Sequence, residues 1–222
     1  MSRTITLVGA RGGQGTSTVA AVLAATLSTH APTTLLSHEP LAVAQLLAAP
    51  PPLPGQAVTV VPGLRLTGLD GPRSELTVVD AGRATSAADL DGECYAVVRG
   101  PCYLALATLV SLSLRLDGVV LVAEPGRALS AKDVTAVLDV PVVATVPVHP
   151  AVARTIDAGL LADKGRSLAA FRSLEVMAEL AQRAVRPTER TTEPAPPVRT
   201  ADVSVGRHAP SRSHDLSWGM EP

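Results

Sequence analysis

At 222 residues the chain is one domain by size, long enough to bury a substantial core. Hydrophobic residues make up 46% and aromatics only 2%, so the core must be Val, Leu and Ala, which suits buried parallel strands and excludes a wholly disordered chain. A net charge of −1 argues against nucleic-acid binding by charge alone, and Cys94 and Cys102 form neither a CxxC pair nor a disulfide framework. Along the chain, an apolar run at 5–8 reads as a strand, 9–15 as a glycine-rich turn, and the alanine-rich stretch to 27 as a helix. A strand at 33–37, a short helix at 41–48 and a Pro-rich stretch at 49–55 follow. Short strands are expected at 58–61 and 64–66 around Pro62-Gly63, and further strands at 76–80 and 95–98. Residues 102–114 read as a helix, 118–123 as a strand buried on both faces, and Ser130 as the cap of a helix through Leu138. A last strand at 140–146 and an amphipathic helix at 166–185 complete the pattern. Strands alternating with helical stretches of 9–15 residues indicate a doubly wound α/β fold with a mainly parallel sheet.

The turn carries the clearest chemistry. Strand, glycine turn and helix together aim backbone N–H groups and a helix N-terminus at an anion. Glycine is needed where a Cβ would block phosphate oxygens or forbid positive φ. Against the P-loop pattern G-x-x-x-x-G-K-[ST], anchored on Gly15 and Ser17, Ala10 stands at the first glycine and Thr16 at the lysine. The two lysines, Lys132 and Lys164, lie far away in sequence, which leaves Arg11 as the one cation in the turn. Ser17 and Thr18 sit where a first helical turn offers hydroxyls to a metal ion and a phosphate. Downstream, LTVVD at 76–80 is followed by Ala81-Gly82, and an acid such as Asp80 at a strand end can hold magnesium through a water. A dinucleotide fingerprint, G-x-G-x-x-G with a later acid, is the competing reading: Gly13, Gly15 and Glu39 fit it, while Thr18 stands at the third glycine. A glycine turn with no ligand is a third.

The residues RGGQGTST at 11–18 resemble the ParA/MinD family of P-loop ATPases, whose loop reads K-G-G-x-G-K-[ST], and are most similar to its TadZ/CpaE branch, where the second lysine is commonly lost. VVDAG at 78–82 resembles the family's second-switch motif, and PVHPAVARTIDAG at 147–159 its stretch near the adenine, with His149 in place of the usual acid. The family's D-x-D-P motif corresponds to Ser37-His38-Glu39-Pro40, so the first acid is lost and the second kept as Glu39. The resemblance implies ATP and Mg²⁺ held by Arg11, Gly12, Gly13, Gln14, Gly15, Thr16, Ser17, Thr18, Asp80 and Pro147, with Ser17 and Asp80 serving the metal. It implies no catalytic side chain of its own and, with two family groups missing, at most a weak ATPase. The implied function is nucleotide-dependent positioning or scaffolding of a pilus or secretion apparatus by a homodimer, without nucleic acid and with at most peripheral membrane association. An active partition- or septum-type ATPase and a dinucleotide oxidoreductase are the alternatives. No signal peptide or membrane-length run is visible, so a cytoplasmic location is expected, with recruitment to the cell pole or inner membrane face. Residues 1–185 are expected to form the P-loop domain and the Pro-, Arg- and Thr-rich residues 186–222 a disordered tail.

Overall fold

A computed structural model describes residues 2–83 and 90–185; the tail expected from 186 onward lies outside the described residues. The chain starts with β1 (Arg3–Gly9), whose residues from Ile5 onward are all buried, and turns through the glycine loop into α1 (Thr16–Leu27). β2 (Thr33–Ser37) is buried throughout and passes into α2 (Pro40–Leu46), which opens on its proline. A hairpin follows: β3 (Val58–Val61), the Pro62-Gly63 turn and β4 (Leu64–Gly68). Then come β5 (Leu76–Arg83), β6 (Glu93–Arg99), α3 (Tyr103–Ser111), β7 (Gly118–Ala123) and α4 (Ala131–Leu138). β8 (Val142–Pro147), α5 (Pro150–Asp157), α6 (Leu161–Lys164) and α7 (Arg172–Val185) complete the described chain.

One eight-stranded sheet runs in the order β3-β4-β2-β5-β1-β6-β7-β8, antiparallel only at the β3/β4 edge. β1 lies at the centre, flanked by β5 and β6, which follow one another in the chain. Parallel order sends the carboxyl ends of β1, β2, β5, β6, β7 and β8 to one edge of the sheet, where ligands bind in open α/β folds. One face is covered by α1, α2, α6 and α7, around Leu7, Leu23, Leu35, Val78 and Phe171. The other is covered by α3 and α4, around Ala96, Leu106, Val119, Leu121 and Val134. α1 is buried on nearly all sides, with Ala20, Ala21 and Ala24 at 0% exposure, which its alanines permit because a larger side chain would hold neighbours apart.

Several predicted limits move. β5 continues past Asp80 to Arg83, because the β1/β5 register slips from Leu7↔Asp80 to Gly9↔Arg83. That is an extra residue on β5, a bulge at which Gly82 takes φ +66. The helix expected over 102–114 stops at Ser111, and Ser113 at φ +48 turns the chain away. The expected helix over 166–185 starts only at Arg172; residues before it form two short 3₁₀ turns with an extended Leu168 between them. Its apolar stripe, through Leu174, Met177, Ala178 and Ala181, is buried in the core. Among the described residues no helix is long and apolar enough to cross a membrane.

Candidate functional site

The glycine loop reaches its shape through two left-handed residues, Gly13 at φ +77 and Gly15 at φ +85, which L side chains rarely adopt. Gly15 is also the N-cap of α1, and a glycine has no side chain with which to cap it. The first intrahelical bond runs from the Val19 N–H to the Gly15 carbonyl at 2.9 Å. The N–H groups of Thr16, Ser17 and Thr18 therefore precede the ladder, uncapped by any side chain and with no acid in the first turn. No heavy atom stands within 4 Å of where a Cβ on Gly12 or Gly13 would sit, so the loop borders open space. That space is a cavity of about 550 Å³. A positive helix end with free donors facing it fits an anion of phosphate type.

The cavity brings together Arg11, Gly12, Gly13, Gln14, Gly15, Thr16, Ser17, Thr18 and Asp80, with His38, Glu39, Gly82 and Arg83 completing its wall. Arg11 is exposed; Ser17 and Thr18 are half-buried. Thr16 is buried, and its Oγ1 lies 2.6 Å from where a Cβ on Gly9 would stand, so its hydroxyl lies over the glycine that ends β1. Pro147 is not in this group. It lines a second, mostly apolar cavity of about 220 Å³ with Gly15, Thr18, Val122, His149, Val152, Ile156 and Phe171. Gly15 and Thr18 are common to both, so the smaller cavity adjoins the loop, where an aromatic base would find apolar walls.

Asp80 is 1% exposed, and both its oxygens are engaged. Oδ2 accepts from the Ser37 hydroxyl at 3.1 Å and Oδ1 from the Gly82 N–H at 3.2 Å, the latter made possible by the bulge. The Ser37 Oγ in turn accepts from the Glu39 N–H at 3.0 Å, which ties the end of β2 to the end of β5. A hydroxyl here avoids two facing buried carboxylates, an arrangement that would need a cation between them. Among the described residues no group of three or more His, Cys, Asp or Glu side chains could hold a metal ion. A magnesium ion would thus depend on Ser17, Asp80 and oxygens of its ligand, a set of hard donors that suits it.

Sequence reasoning missed a cluster beside the loop. Arg83 ends β5, Arg99 ends β6, and Glu124 and Arg127 follow β7; with Arg11 they line an adjoining cavity. Arg99 Nε donates to Glu124 Oε1 at 2.7 Å, and Arg127 pairs with Oε2, its Nε at 2.8 Å. Hydrogen bonds from Arg127 first, and from Arg99, hold the Glu124 carboxyl below its usual range. Gln14 joins the cluster to the loop, its Oε1 accepting from the Arg99 N–H at 2.8 Å. The signal was present in the sequence as charged residues closing three successive parallel strands, which must share one edge.

No family model and no curated protein matches the sequence. Solved structures do resemble it. The septum site-determining protein MinD of Pyrococcus horikoshii, complexed with Mg-ADP, aligns at 18% identity over 83% of this chain and 98% of its own, with a TM-score of 0.68. A ParA family ATPase from Chlorobium tepidum aligns at 15% identity over 81% and 99%, with a TM-score of 0.64. The ATP complex of a Cyanothece McdA variant aligns at 15% identity over 83% and 96%, with a TM-score of 0.55. The described chain has the ParA/MinD type of P-loop NTPase fold.

Proposed function

Taking the ParA/MinD-type fold as premise, we propose that the protein is a nucleotide-dependent positioning or scaffolding protein that binds ATP with Mg²⁺ and hydrolyses it very slowly. The observation that carries this reading is the uncapped N-terminus of α1 facing the loop cavity, with Ser17 and Asp80 on its wall and Thr16 in place of the lysine. Backbone N–H groups of the loop and of Thr16–Thr18 bind the phosphates, and the Ser17 hydroxyl meets the metal. Magnesium, when bound, would be held by Ser17 and Asp80 and would supply charge that neutralises the phosphates. The apolar cavity beside Pro147 receives the base by packing rather than by polar readout.

Thr16 removes a charge-assisted contact to the phosphates worth roughly 1.5–3 kcal/mol, or about 10- to 150-fold in affinity. Binding in the micromolar to millimolar range survives that loss. Turnover suffers more, because phosphoryl transfer depends on positioned positive charge, and Ser37 supplies no acid to orient water. In this reading the protein forms a homodimer in the cytoplasm and is recruited to the pole or inner membrane face to localise a pilus or secretion apparatus, as in the TadZ/CpaE branch. ATP and NAD titrations, with steady-state phosphate release and a Ser17→Ala control, test it. Saturable Mg²⁺-dependent ATP binding with negligible release is expected. Turnover near one per second that Ser17→Ala abolishes would overturn the slow-hydrolysis reading in favour of an active ATPase, and NAD binding alone would overturn the family reading.

A further inference from the structure

Beside the loop cavity lies a larger one of about 860 Å³, which shares Arg11, Gly12, Gln14 and Arg83 with it. Its described lining residues include four arginines, Arg11, Arg83, Arg99 and Arg127, and a single carboxylate, Glu124, which pairs with Arg99 and Arg127. Arg11 and Arg83 have no ion-pair partner among the described residues. Arg99 commits only its Nε–H to Glu124, which leaves both of its Nη groups without an acceptor among the described residues. A guanidinium has five N–H donors in a planar fork that matches phosphate oxygens. The cluster lies at the exposed edge of the sheet, with Arg99 and Arg127 43% and 48% exposed, and the backbone makes room for its central pair. Gly100 holds φ +46, and a Cβ there would overlap both the Glu124 carboxylate and the Arg127 guanidinium, so the backbone leaves room for that pair. The Gln14 bond to the Arg99 N–H fixes the base of the cluster against the loop.

We propose that this cavity is a second anion site, for a small molecule bearing a di- or polyphosphate, in which Glu124 is a placeholder anion displaced when the phosphate arrives. Four positive forks with one negative group among them leave an excess of donors and charge that a polyphosphate fills. The volume falls within the range of small-molecule sites, about 300–1,000 Å³. Displacement explains why a carboxylate sits among the guanidiniums: it keeps Arg99 and Arg127 oriented until the ligand takes its place. The cavity adjoins the loop cavity and shares Arg11, Gly12, Gln14 and Arg83 with it, whereas Glu124 and Arg127 line this one alone.

Calorimetric titration of inorganic pyrophosphate into the full chain at low salt tests the proposal, using two residues that line only this cavity. Glu124→Gln removes the competitor and is expected to tighten pyrophosphate about tenfold; Arg127→Ala removes a fork and is expected to weaken it about tenfold or more. Neither change should alter ATP affinity. Should Arg127→Ala fail to fold, Glu124→Gln decides alone. Affinity unchanged in the variants, no pyrophosphate binding by either the wild type or Glu124→Gln, or binding lost only with Ser17→Ala would each overturn the proposal. A shift in sedimentation of Glu124→Gln that pyrophosphate does not affect would assign the arginines to contact with a second copy, and would overturn it as well.

Discussion

Gly9 and Thr16 are a coupled pair at the end of β1. Any Cβ at position 9 meets the Thr16 hydroxyl at 2.6 Å, with the Arg11 carbonyl 3.2 Å away on another side. Gly9→Ala should therefore cost about 1–3 kcal/mol, as overpacking does. Adding Thr16→Ala removes the nearest of those atoms, and a double-mutant cycle by chemical denaturation should show part of the loss recovered, with a coupling of at least about 0.5 kcal/mol. Strictly additive losses would mean that the backbone, not the hydroxyl, limits the site. A second residue-level expectation concerns acid. Burial would raise the Glu93 carboxyl, yet hydrogen bonds from Arg3 and Tyr95, together with the Arg3 charge, bring it below its ordinary value of 4.5. Its stabilising contribution is then complete above that ordinary value and is lost as pH falls through the lower folded one. The melting-temperature gap between wild type and Glu93→Gln should be constant from pH 7 to 6 and close in acid; a gap that widens in acid would reverse the sign.

At the scale of elements, α4 has the best-defined start. Ser130 and Asp133 form a reciprocal capping box, the Ser130 N–H donating to Asp133 Oδ2 at 2.7 Å. Ser130→Ala should cost about 1 kcal/mol and lower the melting temperature by about 2–4 °C, with no effect on nucleotide binding. This element was legible from sequence because a cap residue precedes an apolar pattern, and β7 because a continuous apolar run follows a glycine. The segment before α7 was not. Leu168, Phe171 and Leu174 are three residues apart, a spacing that 3₁₀ turns and an α-helix share, so periodicity could not separate them. Nor could it reveal the β5 bulge, which depends on the register with β1. The loop was legible for the opposite reason: Gly12, Gly13 and Gly15 are contiguous with the strand and helix they join. Arg83, Arg99, Glu124 and Arg127 are far apart in sequence and meet only through strand order.

For the whole molecule, a net charge of −1 conceals a local excess of guanidinium groups at the sheet's carboxyl edge. Arg11 is exposed and lines both cavities there. The ParA/MinD resemblance implies that a cation at this position reaches the phosphates of the partner subunit in the proposed homodimer, so ATP should promote dimers and Arg11→Ala should abolish that response. Sedimentation showing one oligomer with and without ATP would refute this. α1, finally, sets how any such signal can travel. Packed against β5, β2, α6 and α7 and buried on nearly all sides, it has little room in which to slide. Binding at its N-terminus meets a fixed post, and displacement falls to the joint where exposed His38 faces Gly82, beside the buried Ser37–Asp80 bond that links two strand ends. Native-state hydrogen exchange should separate the two, with mid-α1 amides opening only in global unfolding and the Gly82 amide opening with a much smaller, ligand-sensitive free energy.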